Sequence, residues 1–124
     1  MNSLFLAGTA KTPSISFDGK SGKFEISGRS IPENSAKFYM PLIEWVDNYI
    51  NSAAEDTSIH VRLEYFNTSS LKSLVELFRR FEKLLLVGKQ VELNWYYEPE
   101  DEDMYESGED FRLLIRIPVK LIRI

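Results

Sequence analysis

Apolar and polar residues alternate in several short stretches of the chain, which is the pattern of half-buried β-strands. The clearest stretch is 57–66, where successive side chains point to opposite faces of the predicted strand. One face contains Ile59, Val61, Leu63 and Tyr65, and the other contains His60, Arg62, Glu64 and Phe66. Further strands are predicted at 14–17, 23–26, 90–97 and 117–124, with a short edge strand at 4–6. The turn residues of 18–22 predict a β-hairpin between the strands that flank them.

Apolar residues recur at the spacing of a buried helix face in two longer stretches. In 35–54, Asn34 or Ser35 is predicted to cap the helix, and the main helix is expected to start at Pro41, which has no N–H to donate. The second stretch follows 67–70 and runs to about Val87, and its predicted buried stripe is Leu71, Leu74, Val75, Phe78, Phe81 and Leu85. Gly88 is expected to end that helix in a left-handed conformation. A short third helix is predicted near 108–114.

The order of these elements, ββ-α-β-α-β-α-β, indicates an α/β fold with one mixed β-sheet flanked by helices. The β-α-β segment 57–97 includes a helix long enough for a right-handed crossover between two parallel strands. Pro118 suggests an edge position or a late start for the last strand. The 124 residues contain no internal repeat and no linker, so a single domain spanning 1–124 is expected.

The composition excludes several classes of function. The chain has no cysteine and one histidine, His60, which excludes thiol catalysis, a disulfide framework and a Cys- or His-rich metal site. No phosphate-binding glycine loop, nucleophile elbow or zinc-protease motif is present, so we expect neither an enzyme nor a cofactor. No apolar run approaches the roughly 18 residues that a bilayer requires, and no signal peptide is recognisable. We therefore expect a cytoplasmic protein with no membrane contact.

The net charge of −4 is unevenly distributed. The segment 98–110 has no Lys or Arg and contains the carboxylates of Glu98, Glu100, Asp101, Glu102, Asp103, Glu106, Glu109 and Asp110. Such a segment would repel phosphate, so nucleic acid is not an expected partner. A solvated acidic loop is the simplest interpretation, and a basic surface on a partner protein is the alternative. Asp101, Asp103 and Glu106 could in principle hold a cation for a metal-dependent hydrolase, but their spacing differs from an EF-hand loop and no metal site is predicted.

The most informative feature is the junction Tyr65-Phe66-Asn67-Thr68-Ser69-Ser70, where a buried strand passes into a helix. Asn67 or Thr68 could cap the helix, which is worth about 1 kcal/mol, and this is the interpretation that the residues alone favour. Three consecutive hydroxyl groups exceed what one cap requires. Free N–H groups and the positive end of the helix dipole also make a helix N-terminus suitable for a phosphate, so phosphorylation is the alternative.

Short motifs spread over nearly the whole chain resemble those of the bacterial SiaC-type regulatory phosphoprotein family. They are, in chain order, Thr12-Pro13-Ser14-Ile15 with Phe17-Asp18, Gly28-Arg29-Ser30 with Pro32-Glu33-Asn34 and Phe38-Tyr39, Tyr65-Phe66-Asn67-Thr68-Ser69-Ser70, Trp95-Tyr96-Tyr97, and Asp101-Glu102-Asp103-Met104 with Gly108-Glu109-Asp110-Phe111. Leu71 departs from the family pattern, in which a further small polar residue follows Ser70. The resemblance implies a STAS-like fold similar to that of anti-sigma-factor antagonists, with a phosphorylated hydroxyl at a helix N-terminus.

The resemblance also implies a switch protein rather than an enzyme. A cognate serine/threonine kinase would phosphorylate Thr68, with Ser69 and Ser70 as alternatives, and a PP2C-type phosphatase would remove the phosphate. The unphosphorylated form would bind and activate a diguanylate cyclase, raising cyclic di-GMP and favouring biofilm growth. The residues expected to contact a partner are Glu33, Asn34, Asn67, Ser69, Ser70, Tyr96, Asp101 and Asp103. The main alternative is a constitutive assembly module that pairs through the edge of the strand at 117–124.

Overall fold

A computed structural model of the protein describes residues 3–124. Its elements are β1 (Ser3–Leu6), β2 (Ser14–Asp18), β3 (Lys23–Ser30), α1 (Ser35–Tyr49) with a 3-10 turn (Ile50–Ser52), β4 (Asp56–Phe66), α2 (Thr68–Phe81), α3 (Lys83–Leu86), β5 (Gln90–Tyr97), α4 (Glu102–Leu114) and β6 (Val119–Arg123). The hairpin, the edge strand β1 and the two longer strands lie at the predicted positions, but β3 continues four residues beyond its predicted end at 26. The last strand begins after Pro118, as that proline indicates.

The six strands form one mixed sheet in the order β1-β2-β3-β4-β5-β6. The first two pairs are antiparallel, and the β3–β4, β4–β5 and β5–β6 pairs are parallel. The parallel pairing of the two strands that flank the helix in 57–97 is therefore confirmed. Because β3, β4 and β5 are parallel, the ends of β3 and β4 and the N-terminus of α2 meet at one edge of the sheet.

The helices cover one face of this sheet. Phe24 on β3 packs against Trp45 of α1 and Phe81 of α2, with ring centroids 5.7 and 5.1 Å apart. Trp95 on β5 packs against Phe111 of α4 at 4.8 Å. The opposite face presents partly exposed side chains, among them Ser16, Glu25, His60, Glu92 and Tyr96. The core thus lies between one face of the sheet and the helices. No helix in residues 3–124 has the length and apolar character needed to cross a membrane.

Helix α1 corrects the expectation that the main helix starts at Pro41. The helix begins at Ser35 and continues through Pro41 to Tyr49, with Asn34 as its N-cap. Proline removes the hydrogen bond that its N–H would donate to the carbonyl of Lys37. Both Pro41 and Lys37 are on the exposed side of the helix, where water can satisfy that carbonyl. The buried face, which includes Tyr39 and Leu42, keeps the helix in place.

The helix predicted to run to Val87 is divided into α2 and α3 at Glu82. Leu84 is fully buried, whereas Leu85, which the predicted stripe includes, is 38% exposed. Leu77 is also fully buried, although the predicted stripe omits it. Gly88 follows with a φ of 77°, which confirms the left-handed stop.

Helix α4 begins at Glu102, six residues before the predicted start at 108. Much of the acidic segment is therefore helical and not a loop. The reason is that Asp101 caps the helix and that Glu102 and Asp103 lie in its first turn, where negative charge stabilises the positive end of the dipole. Gly108, expected at the start of the helix, lies in its middle.

Candidate functional site at the start of helix α2

A β-bulge near the end of β4 changes the orientation of the side chains just before the junction with α2. Gly28 pairs with Leu63 and Arg29 pairs with Tyr65, which leaves Glu64 as an extra residue on β4. The bulge reverses the alternation, so Tyr65 is 53% exposed and the prediction that it lies on the buried face is wrong. Phe66 turns inward instead and packs against Trp95, with ring centroids 6.0 Å apart.

Asn67 is the N-cap of α2. Its side-chain oxygen accepts hydrogen bonds from the Ser70 N–H at 2.9 Å and from the Ser69 hydroxyl at 3.1 Å. Its own N–H donates to the carbonyl of Ser30 at 3.1 Å, which ties the helix start to the end of β3. The expected cap is confirmed, and Asn67 supplies it without the help of Thr68.

Ser70 is completely buried and belongs to a chain of hydroxyl groups beneath the helix start. Its hydroxyl donates to the Ser30 carbonyl at 2.9 Å and lies 2.8 Å from the Ser30 hydroxyl, which lies 2.7 Å from the Tyr39 hydroxyl. Since Ser70 uses its only proton on the carbonyl, Ser30 donates to Ser70 and Tyr39 donates to Ser30. Burial raises the pKa of Tyr39 to about 12, so this proton stays in place at physiological pH.

Ser69 is held from two sides. Its hydroxyl donates to Asn67 and lies 2.8 Å from the hydroxyl of Ser35, the first residue of α1. Ser35 is therefore the donor in that pair, because the Ser69 proton is already used. Ser69 thus links the N-terminus of α2 to the N-terminus of α1.

Thr68 differs from both serines. It is the first residue of α2 and is exposed, as Ser69 also is, but its hydroxyl takes part in none of the hydrogen bonds that connect the described part of the chain. Of the three adjacent hydroxyl groups, it is the one that an enzyme can reach without breaking an existing hydrogen bond. Among the three hydroxyl groups, that of Thr68 is therefore the one left free of hydrogen bonds within residues 3–124.

Thr68 borders a cleft between the start of α2 and the start of α4. We call this the acidic cleft, because Glu64, Asp101 and Asp103 line it. Tyr65, Phe66, Asn67, Leu71, Met104 and Ser107 complete its wall. Three of the residues expected to contact a partner, Asn67, Asp101 and Asp103, are thus brought together beside Thr68.

One acidic residue of the cleft, Asp101, also caps α4. The Asp101 side chain accepts a hydrogen bond from the Met104 N–H at 3.0 Å, and the Met104 carbonyl accepts one from the Trp95 indole at 2.9 Å. The described residues contain no group of three or more His, Asp or Glu side chains placed to hold a metal ion. The arrangement gives no support to the metal-dependent hydrolase.

Glu33, Asn34 and Tyr96, which are also expected to contact a partner, do not line the acidic cleft. Asn34 caps α1 by accepting a hydrogen bond from the Lys37 N–H at 3.0 Å. Glu33 beside it is exposed, with its carboxylate 3.8 Å from the Lys11 ammonium group. Tyr96 is on the sheet face that the helices leave uncovered, where its hydroxyl lies 2.8 Å from His60. Tyr96 therefore does not belong to the acidic cleft, and its role as a partner contact stays a prediction.

Ser30, Ser35 and Tyr39 are the residues of this region to which the sequence assigned no functional role. Each lies within or next to a motif that supported the family resemblance, but its own neighbours in the chain give no sign that it contacts the α2 junction. Ser30 and Ser70 are 40 residues apart. Their contact depends on the parallel pairing of β3 and β4, which only the fold establishes.

Comparisons with known proteins agree with the resemblance. The family model described as SiaC family regulatory phosphoprotein matches residues 6–124. An uncharacterized protein of Pseudomonas aeruginosa (strain UCBPP-PA14) is 33% identical over 112 residues, which are 90% of this chain and 89% of that protein. The solved structure of SiaC of P. aeruginosa is similar at a TM-score of 0.88, with 29% identity and full coverage of both chains.

A second solved structure contains a protein of the same kind bound to an enzyme. It is the crystal structure of the diguanylate cyclase SiaD in complex with its activator SiaC from P. aeruginosa. The matching chain has a TM-score of 0.89 and 30% identity, and the match covers 98% of this chain and 99% of that chain.

Proposed function

The chain belongs to the SiaC family of regulatory phosphoproteins, and we propose that it is a non-enzymatic switch that activates a diguanylate cyclase only while Thr68 is unphosphorylated. The observation that carries the proposal is the difference between the three hydroxyl groups at the start of α2. Ser69 and Ser70 are engaged in the hydrogen bonds that hold the helix start, whereas the Thr68 hydroxyl is exposed and unengaged within residues 3–124.

Thr68 is also placed where a phosphate is tolerated. It lies in the first turn of a 14-residue helix, where backbone N–H groups and the dipole favour negative charge. A phosphoryl group adds about −1.5 to −2 charge at neutral pH. Because the Thr68 side chain is exposed, that charge changes the surface without entering the core.

The proposed cycle has three partners. A serine/threonine kinase transfers phosphate to Thr68, a PP2C-type phosphatase removes it, and the unmodified protein binds the cyclase. The solved complex of SiaD with its activator SiaC supports the cyclase as the partner. Activation would raise cyclic di-GMP and favour biofilm growth.

Peptide mass spectrometry of the protein from its native host tests the modification. We expect phosphate on Thr68 and none on Ser69 or Ser70, and we expect the Thr68→Ala variant to remain unphosphorylated. The second arm adds purified protein to the diguanylate cyclase of the same host. Wild-type protein and Thr68→Ala should activate the cyclase, and Thr68→Glu should not. Phosphate found on Ser69, or activation by Thr68→Glu, would contradict the proposal.

A second candidate function is a constitutive assembly module. It is favoured by β6, which pairs only with β5 and presents a free strand edge in the described sheet. Ile124, next to that edge, is 52% exposed. If this candidate is correct, sedimentation shows an oligomer whose size does not respond to Thr68→Ala or Thr68→Glu. A monomer, or a size that changes with the Thr68 variants, would contradict it.

A further inference from the structure

Thr68 lies on the boundary between two depressions of opposite charge. The acidic cleft is on one side of it. On the other side is a groove along the outer surface of α2, lined by Thr68, Leu71, Lys72, Val75, Glu76, Arg79, Arg80 and Leu114, which we call the α2 groove. A phosphate on Thr68 would therefore change the charge at one end of this groove.

The α2 groove has an apolar floor. Leu71 and Val75 are half-buried, and Leu114 at the end of α4 is 40% exposed. Leu113 beside it is 86% exposed. From Thr68 to Arg79 the groove follows about three helical turns, or about 16 Å at a rise of 1.5 Å per residue. These dimensions suit the apolar face of a short amphipathic helix.

The rim of the α2 groove keeps a positive excess. Arg80 is paired with Asp47 at 2.7 Å and with Glu76 at 3.6 Å. Lys72 forms no ion pair with the carboxylates of residues 3–124, and Arg79 donates to the neutral carbonyl of Leu114 at 3.1 Å. The positive charges of Lys72 and Arg79 are therefore available to an acidic partner.

We infer that the α2 groove binds an acidic amphipathic helix of the partner protein, with carboxylates over Lys72 and Arg79. This inference rests on the proposed function, because it explains how phosphate on Thr68 prevents binding. Thr68 precedes Lys72 by four residues, or one helical turn, so a phosphate there can pair with Lys72 and repel the partner's carboxylate. A basic helix would instead be attracted by the phosphate, and this decides the sign of the partner's charge.

The test compares two charge reversals of the same kind. Lys72→Glu alters the α2 groove, and Lys20→Glu is the matched control in the turn between β2 and β3, at the opposite end of the sheet from Thr68. The binding partner is the host diguanylate cyclase that the unmodified protein activates. We expect Lys72→Glu to weaken binding about tenfold or more and Lys20→Glu to change it less than about twofold. Raising the salt concentration should weaken binding of the wild type more than binding of Lys72→Glu.

The Thr68→Glu variant, measured in parallel, separates the two proposals. If Thr68→Glu loses binding but Lys72→Glu binds like Lys20→Glu, the groove assignment is wrong while the switch stands. If Lys72→Glu binds more tightly than the wild type, the partner segment is basic, which also overturns the inference. If Thr68→Glu binds like the wild type, the switch itself is wrong. Circular dichroism of each variant verifies that the fold is retained.

Discussion

Thr68, Ser69 and Ser70 are adjacent in the chain but have different surroundings in the fold. Their sequence predicts a helix start with a surplus of hydroxyl groups, and this much is confirmed. It does not reveal which hydroxyl is free, because the partners Ser30 and Ser35 come from distant parts of the chain. The choice of Thr68 came from the family resemblance, and the hydrogen bonds supply a physical reason for it.

The different surroundings of Ser70 and Thr68 predict that replacing them with alanine has unequal effects on the free energy of unfolding. Ser70→Ala removes a buried hydroxyl that donates to the Ser30 carbonyl and accepts from the Ser30 hydroxyl, so we expect it to lower the free energy of unfolding by about 1 to 3 kcal/mol. Thr68→Ala removes an exposed, unengaged hydroxyl and should change it by less than about 0.5 kcal/mol. Urea denaturation of both variants measures the difference. Equal losses would mean that Thr68 is a structural residue.

The elements were predicted well where a local pattern determines them. Strand alternation, the hairpin turn, the Asn67 cap and the Gly88 stop each depend on neighbouring residues. Two of the errors depend on the surroundings that the fold provides. Pro41 is tolerated because its exposed side leaves the freed carbonyl to water, and Tyr65 turns outward because β4 forms a bulge against β3.

Gly108 in the middle of helix α4 packs closely against β5 and β6. Ala has a higher helix propensity than Gly by about 1 kcal/mol, so Gly108→Ala would stabilise an isolated helix. In the fold, a Cβ at this position would overlap the side chain of Leu121 and come within 2.7 Å of Trp95 Cδ1. Trp95 is fully buried and its indole is fixed by the Met104 carbonyl, so it has no room to move.

We therefore expect Gly108→Ala to lower the free energy of unfolding by about 1 to 3 kcal/mol, the usual cost of overpacking. Glu106→Ala, at an exposed position of the same helix, is the matched control and should leave stability almost unchanged. Urea denaturation measures both. A stabilised Gly108→Ala variant would show that α4 is not packed this closely against β5 and β6.

At the scale of the whole molecule, the two faces of the sheet differ. On the uncovered face, burial lowers the pKa of His60, the positive charges of Lys23 and Arg62 lower it further, and Glu25 and Glu92 act in the opposite direction. The neutral ring lies 2.8 Å from the Tyr96 hydroxyl. The unfolded chain protonates His60 more readily than the folded protein does, because the pKa of His60 is lower in the folded state. The contribution of His60 to stability is therefore complete above about pH 6.5 and is lost as the pH falls through the lower folded pKa.

Urea denaturation between about pH 7.5 and pH 5 tests this sign. We expect the wild type to lose more stability on acidification than His60→Gln, which cannot titrate at this position. Carboxylates contribute to both curves, so the difference between the curves isolates His60. Equal losses in the two proteins, or a larger loss in His60→Gln, would contradict the direction of the shift.

The fold as a whole brings together site residues that the sequence does not connect. The chain separates the acidic residues Asp101 and Asp103 from Thr68 by more than thirty positions, and the fold places all three around one cleft. From the sequence, the acidic segment was compatible with a solvated loop and with a docking surface for a basic partner. The structure shows that Asp101 caps α4 and lines the cleft at the same time.

The central claim is that phosphate on Thr68 decides whether the protein binds its partner. The most direct measurement is calorimetric titration of the host diguanylate cyclase with one preparation phosphorylated at Thr68, before and after phosphatase treatment. We expect no detectable binding before treatment and binding equal to that of the never-phosphorylated protein afterwards. Equal affinity in both states, or tighter binding by the phosphorylated protein, would contradict the account.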